Sequence, residues 1–243
     1  MKKTILAVLL SFGFVSCDQL AQLSQNIPSN LPLSSAEIAQ GLKRALSLST
    51  DTAVKKLSSV NGFFADQALK ILLPPEAQAI MANISKVPLG EELLNRTILS
   101  INKAAEDAAI EAAPIFKKAI ADMSFTDAMS ILKGTDTAAT HYLRNATYNN
   151  LLDAFTPKIQ NSLSKPLLLN QSSESIYKQL VETYNKASLN GLLFKRIEGN
   201  SLSAYVTNKA LQGLFVKVAG EEKEIRNKVN HQVDDLLKLV FAK

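Results

Sequence analysis

Apolar residues recur with a seven-residue period along residues 91–119, and this repeat constrains the fold more than any other feature of the sequence. The positions alternate in steps of four and three: Leu94, Ile98, Ile101, Ala105, Ala108, Ala112, Ile115 and Ala119. This spacing places the side chains on one face of a helix and predicts packing against a neighbouring helix. Pro114 lies inside the run and should kink the helix or divide it in two.

The rest of the chain also favours helices. The 243 residues include no tryptophan and only 6% aromatic residues, so alanine and leucine must supply most of the core. These residues suit helices better than strands. No alternating run of strand length is present, and we expect at most one short extended segment, near Ile71–Leu73, before two prolines. The sequence therefore predicts an all-α, compact bundle of about eight to ten helices, forming a single domain over residues 35–243.

Capping signals locate several helix boundaries. Ser124 and Asp127 have the spacing of a capping box. Gly134 suits a positive φ at a helix end, and Asp136 suits the cap of the helix that follows. Further helices are predicted over residues 76–86, 157–167, 173–187, 202–226 and 229–241.

The first 34 residues have the layout of an export leader followed by a tether. A basic start, an apolar run and the only cysteine occur in that order, at Lys2, Lys3, residues 5–16 and Cys17. Residues 1–16 predict a secretory signal peptide. Cys17 directly after it resembles the lipobox of bacterial lipoproteins, in which the thiol is alkylated with diacylglycerol. Residues 17–34 would then be a lipidated cysteine and a polar tether.

Two other interpretations of the leader stay open. A plain secretory signal with an incidental cysteine is one, because Phe14 stands where a lipobox usually has leucine. A transmembrane anchor is the other, although residues 5–16 would span only about 18 Å as a helix. The lipobox interpretation predicts a protein of the bacterial cell envelope that is anchored to a membrane through Cys17. It does not distinguish the inner from the outer membrane.

Charge and motif content exclude several classes of function. The chain carries 27 basic and 22 acidic residues without a basic cluster, so we expect no nucleic-acid binding, only a mild attraction to anionic membrane surfaces. A single cysteine excludes an internal disulfide. Phosphate-binding glycine loops, nucleophile elbows and zinc-protease patterns are missing. We therefore predict no catalytic residues, no cofactor and no metal site, with an envelope protein as one candidate partner.

A small set of polar residues is compatible with a binding site. Near the predicted helix start at Asp136, free backbone amides with Thr135, Thr137 and Arg144 would suit an anion. Glu221 continues an apolar stripe on a later helix, and a buried carboxylate needs a partner. The candidate ligand-binding residues are Asp136, Thr137, His141, Arg144, Glu221 and Arg226. Each also has a structural interpretation, as a helix cap, a solvated side chain or an ion pair between helices.

Three functions are consistent with these features, and we predict the first. The first is a non-enzymatic binding or structural lipoprotein. The second is an unrecognised enzyme that uses helix-borne carboxylates such as Glu106 and Glu221. The third is a carrier of an apolar ligand. An enzyme requires carboxylates that converge in a cleft. A carrier requires a sizeable apolar cavity, and a binding protein an exposed apolar patch of about a few hundred Å² or more.

Several short segments occur in the order found in one known family. They cover residues 61–63, 102–106, 123–128, 131–140, 210–215 and 221–226. On these segments the chain resembles the domain-of-unknown-function family 4197, over roughly residues 35–241. The resemblance implies a helical envelope protein with an export signal, and it implies no activity. Similar sequences often carry aspartate at the position of His141, which weakens His141 as a candidate catalyst.

Overall fold

The computed structural model describes residues 34–77, 90–168, 170–187, 201–232 and 235–241, together with Leu189, Leu192 and Arg196. Ser35–Lys243 form one compact unit. The predicted leader and the predicted tether up to Leu33 lie outside the described residues. So does most of the helix predicted over residues 76–86, of which the structure describes only a 3-10 turn at Pro75–Ala77.

The described residues are mostly helical, which confirms the all-α prediction. The helices are α1 Ser35–Leu57, α2 Gly90–Ala109, α3 Ala112–Asp122, α4 Phe125–Leu132, α5 Ala138–Leu163, α6 Ser173–Ala187, α7 Leu202–Asn227 and α8 Asp235–Val240. Because α8 is a short piece of six residues, seven described helices have eight residues or more. The predicted count of about eight to ten helices is therefore slightly above the seven helices of this length in the described residues.

A short hairpin interrupts the helices between α5 and α6. Strands β1 Pro166–Leu168 and β2 Gln171–Ser172 pair in antiparallel orientation. Asn170 makes the turn with a positive φ of 60°. The strands are too short to produce an alternating pattern, so the sequence did not predict them.

Pro114 divides the long apolar repeat into α2 and α3, as predicted. Proline lacks the N–H that would bind the carbonyl of Ile110, four residues earlier, and its ring would clash with that carbonyl. The break falls at Ile110 and Glu111, and Pro114 then lies in the first turn of α3, where proline is tolerated. The repeat remains a packing face, since Ile101, Ala105, Ala108 and Ala112 are fully buried.

Two predicted boundaries were wrong. Pro157 does not begin a new helix but lies within α5, because the fully buried Phe155 and Ile159 on either side hold the helix against the core. The helix predicted over residues 229–241 is instead a 3-10 turn at Val229–His231 followed by α8.

The predicted caps had different outcomes. Ser124 and Asp127 form the predicted capping box at the start of α4, with the Ser124 hydroxyl accepting from the Asp127 N–H at 3.1 Å. Gly134 does not adopt a positive φ. It is required for close approach, because a Cβ there would lie 2.6 Å from the Cβ of Ala138.

Helix α7 is the centre of the packing, and it contacts α1, α2 and α5. Aromatic residues fill the largest spaces: Phe116 and Phe215 meet edge to face with ring centroids 6.0 Å apart. Phe63, which follows α1, is fully buried. Its ring fits against α7 because position 213 is glycine, where a Cβ would lie 2.8 Å from the Phe63 Cε1.

Buried polar side chains of α2 hold the segment between α1 and α2. Asn102 accepts from the N–H of Ile71 and donates to the carbonyl of Ile71, both at 2.8 Å. One turn further along α2, the Glu106 carboxylate accepts from the N–H of Phe63 at 3.3 Å. The segment near Ile71–Leu73, predicted to be extended, is non-helical. The side-chain amide of Asn102 hydrogen-bonds to its backbone at Ile71.

Two glycines of α7 provide a test of this packing. Gly213→Ala should destabilise the protein by about 1–3 kcal/mol, since the added methyl group would displace the buried Phe63 ring. Gly220→Ala should stabilise it by about 0.5–1 kcal/mol, because no atom lies within 4 Å of its Cβ position and alanine favours helix. Urea unfolding of both variants measures the difference. Equal effects at the two positions would contradict the described contact between Phe63 and α7.

Candidate functional site

The candidate residues lie on two neighbouring elements, the start of α5 and the last turns of α7. Helices α5 and α7 pack against each other. Asp136 precedes α5, and its Oδ2 lies 3.4 Å from the Nδ2 of Asn227 at the end of α7. The structure thus brings together the two segments, residues 131–140 and 221–226, that the sequence singled out separately.

Glu222, which the sequence did not single out, is the central residue of this junction. Its carboxylate accepts hydrogen bonds from the N–H of Ala139 at 3.0 Å and the N–H of Thr140 at 2.9 Å. It also accepts from the Thr140 hydroxyl at 2.7 Å. Only 4% of Glu222 is exposed. A buried negative charge at a helix N-terminus is stabilised by the unpaired amides and by the helix dipole.

Arg226 neutralises this buried carboxylate. Its Nε donates to Glu222 at 2.9 Å from one turn along α7. Its Nη2 donates to the carbonyl of Ile131 in α4 at 3.0 Å, and its guanidinium lies 5.7 Å from the Phe241 ring. Charge-assisted hydrogen bonds on both partners satisfy the groups that burial would otherwise leave unpaired. The network therefore joins α4, α5 and α7 in one place.

Glu222 occupies the position where the sequence suggested an external anion. The amides of Ala139 and Thr140 are engaged by the protein's own carboxylate. Asp136 is not the cap of α5, contrary to the prediction: Thr137 occupies the N-cap position, and its side chain makes no capping hydrogen bond. The cap comes instead from Glu222, more than 80 residues away in the sequence.

The other candidates are separated from one another. Glu221 is mostly buried, as the apolar stripe predicted, and its carboxylate pairs with Lys56 of α1 at 2.6 Å. His141 is exposed. Arg144 is exposed and lies 5.6 Å from the Phe215 ring. A ligand-binding role for these residues and for Thr137 stays a prediction.

A second helix is capped by a distant carboxylate in the same way. Glu174 of α6 accepts from the N–H groups of Leu202 and Ser203, at 3.1 and 2.9 Å, at the start of α7. In both α5 and α7, the N-terminal amides thus donate to the carboxylate of a glutamate in another helix. The local sequence gives no signal for either cap, because the acidic side chain lies outside the usual capping positions.

Five of the six segments that carry the family resemblance meet at two junctions. Glu222 and Arg226 join residues 131–140 to residues 221–226. Phe63 joins residues 61–63 to residues 102–106 and 210–215, since its N–H binds Glu106 and its ring contacts Gly213. In the described part of the chain, these segments are therefore used for helix packing.

One open cleft of about 700 Å³ is lined mainly by α1 and α3, and we call it the basic cleft. Its lining includes Gln40, Lys43, Arg44, Ser47, Lys117 and Leu236. The Lys43 ammonium donates to the carbonyl of Ala121 near the end of α3 at 3.0 Å. None of the described residues that line this cleft is acidic. The sequence did not reveal it because its cations come from separate helices.

A second cleft, of about 280 Å³, contains Asp107 of α2 with hydroxyl and ammonium groups around it. The Ser162 hydroxyl donates to Asp107 at 2.7 Å and Lys103 donates at 3.2 Å. Burial alone would raise the pKa of Asp107. These hydrogen bonds and the charges of Lys103 and Lys165 outweigh burial, so the pKa lies below its ordinary value.

A third cleft, of about 330 Å³, lies between the segment 68–72 and α7. Leu72 and Val216 line it and are both half exposed, and Lys70 and Lys209 lie beside them.

Among the described residues, no three His, Cys, Asp or Glu side chains are grouped so that they could hold a metal ion. Within the same residues, no helix combines the length and apolarity needed to cross a bilayer.

Neighbouring glutamates on α7 test the role assigned to Glu222. Glu222→Gln should lower the free energy of unfolding by about 3–5 kcal/mol, because an amide nitrogen would face buried donors and Arg226 would lose its charge partner. Glu221→Gln should cost about 0–1 kcal/mol, since its partner Lys56 is half exposed. Chemical unfolding of both variants measures the contrast. A larger loss for Glu221→Gln would contradict the assignment.

Asp107 should contribute to the pH dependence of stability. A carboxyl group with a lowered pKa in the folded protein stabilises it above the unfolded pKa of about 3.9, and this contribution is lost as the pH falls through the folded pKa. Asp107→Asn should therefore lose less stability than wild type between about pH 5 and pH 2. Thermal unfolding across this range measures it, with the exposed Asp153→Asn as control. An unchanged acid dependence in Asp107→Asn would refute the prediction.

Comparison with known proteins gives one match. No similar curated protein and no similar solved structure was found. A family model described as "Protein of unknown function (DUF4197)" matches residues 32–242, nearly the whole chain, in agreement with the resemblance seen in the sequence. The chain belongs to this family of proteins of unknown function.

Proposed function

We propose that this chain is a non-enzymatic, lipid-anchored protein of the bacterial cell envelope that binds an anionic partner through its helical domain. The anchor is Cys17, acylated after removal of residues 1–16. Residues 18–34 form the tether between the lipid and α1. The domain then acts at the membrane surface to which the lipid attaches.

The order of features around Cys17 supports the anchor. A basic start, an apolar run of twelve residues and a cysteine follow one another at the beginning of the chain. The run is too short for a helix that spans about 30 Å of hydrocarbon. As a flexible coil, the tether would reach roughly 20–25 Å. That reach would let the domain stand clear of the bilayer.

The basic cleft is the observation that carries the binding part of the proposal. It brings together Lys43, Arg44 and Lys117, while its described lining contributes no negative charge. Its volume lies in the range of about 300–1,000 Å³ that is usual for ligand sites, in which a few convergent polar groups fix the ligand. An anionic partner is the chemistry that such a surface recognises.

The distribution of buried carboxylates favours binding over catalysis. An enzyme of the kind considered above needs acidic groups that converge in a cleft. Glu106 binds the backbone of Phe63, Glu221 binds Lys56, and Glu222 caps α5. None of the three lines any of the described clefts. These contacts give the three carboxylates structural roles.

The anchor can be tested with a cysteine variant. Cells that express the wild-type protein should incorporate labelled palmitate into it, and the purified protein should begin at an acylated Cys17. Cys17→Ser should lose the label and the acyl mass, because serine has no thiol to alkylate. Mass spectrometry of the purified proteins measures both changes.

Ser16→Ala is the matched control, since it changes the neighbouring residue and keeps the thiol. It should retain the label. A wild-type protein that carries no acyl group and still begins at Met1 would refute the proposed anchor.

A further inference from the structure

We infer, on the basis of the proposed anchor, that the basic cleft binds the phosphate groups of anionic phospholipids in the membrane that holds Cys17. Three positive charges lie around one cleft of about 700 Å³, two on α1 and one on α3. Such a volume admits a phospholipid headgroup. The lipid at Cys17 would attach the protein to the membrane, and the cleft would fix the orientation of the domain on its surface.

The lysines of the cleft retain donors for a phosphate oxygen. Lys43 donates to the carbonyl of Ala121, which holds its ammonium at the cleft. An ammonium has three N–H donors, so further donors remain. Lys117 is exposed on α3. One cation is thus held in place and another can adjust to a headgroup, with neutral donors from Gln40 and Ser47 beside them.

Among the described residues, the carboxylates near the two lysines of the cleft pair with other lysines. Asp122, at the end of α3, pairs with Lys118 at 2.7 Å. Asp235, at the start of α8, pairs with Lys238 at 2.9 Å. Both carboxylates are therefore matched by lysines other than those of the cleft. Lys43 and Lys117 keep a positive potential toward an anionic surface.

The connection between anchor and domain favours a lipid over another acidic partner. Helix α1 begins at Ser35, and Lys43 lies eight residues later, about 12 Å along the helix axis. The tether joins the lipid to this same helix. A short linker makes the local concentration of headgroups high for groups near its end. An acidic protein would have no such advantage.

Lysine footprinting in vesicles tests the inference. The purified protein is reconstituted into two kinds of vesicle. One contains phosphatidylcholine alone, and the other also contains about 30% phosphatidylglycerol, whose charge gives the surface a negative potential. An amine-reactive reagent then labels exposed lysines, which mass spectrometry quantifies. Labelling of Lys117 should slow about fivefold in the anionic vesicles. The exposed Lys209 on α7 should not change, and high salt should abolish the protection.

A pair of charge reversals provides matched variants. In the wild-type protein, labelling of Lys43 should slow in anionic vesicles together with that of Lys117. Lys117→Glu should abolish the protection of Lys43, because it reverses a charge in the cleft. Lys209→Glu makes the same change in net charge on α7, outside the cleft, and should preserve the protection. Equal effects of the two variants, or equal labelling in both vesicle types, would overturn the inference. The same protection in neutral vesicles on addition of glycerol phosphate would also overturn it, by identifying a soluble anion as the ligand.

The proposed anchor is tested separately by flotation with the neutral vesicles. An acylated protein floats with phosphatidylcholine alone, whatever the cleft binds. Failure to float there would count against the anchor. Flotation without protection of Lys117 would count against the cleft.

Discussion

The buried carboxylate of Glu222 is the interaction on which the arrangement of the central helices depends. It supplies the negative charge that the N-terminus of α5 needs, and Arg226 balances that charge while binding the last turns of α4. Because each partner would be costly to bury alone, the three helices are fixed together. Glu174 does the same for the start of α7. The bundle is therefore held by remote caps as well as by its apolar faces.

The proposed binding surface and the segments that carry the family resemblance are different parts of the chain. Glu222, and the contact of Phe63 with Gly213, join helices through these segments. The basic cleft is lined by residues outside all of them, whereas the other two clefts include Lys103, Gln212 and Gly213 from them. The proposed binding surface is therefore separate from the residues that join these helices.

Short-range sequence patterns predicted much of the fold. The break before Pro114 followed from the geometry of proline, and the capping box at Ser124 followed from a spacing of three residues. The caps of α5 and α7 could not be predicted, because their carboxylates come from positions distant in sequence. Asp136 was the nearest acidic residue, but it was the wrong one. The apolar stripe located Glu221 correctly and gave no reason to select its neighbour Glu222, which is more deeply buried.

Hydrogen exchange at the first turn of α5 is the most direct measurement of this central interaction. First-turn amides have no partner within a helix and exchange quickly unless something outside the helix binds them. If Glu222 is the resident anion, the amides of Ala139 and Thr140 should be as strongly protected as the core amides of α5 in the protein alone. Fast exchange that slows only when an anion is added would show that the position is vacant, and would contradict the account.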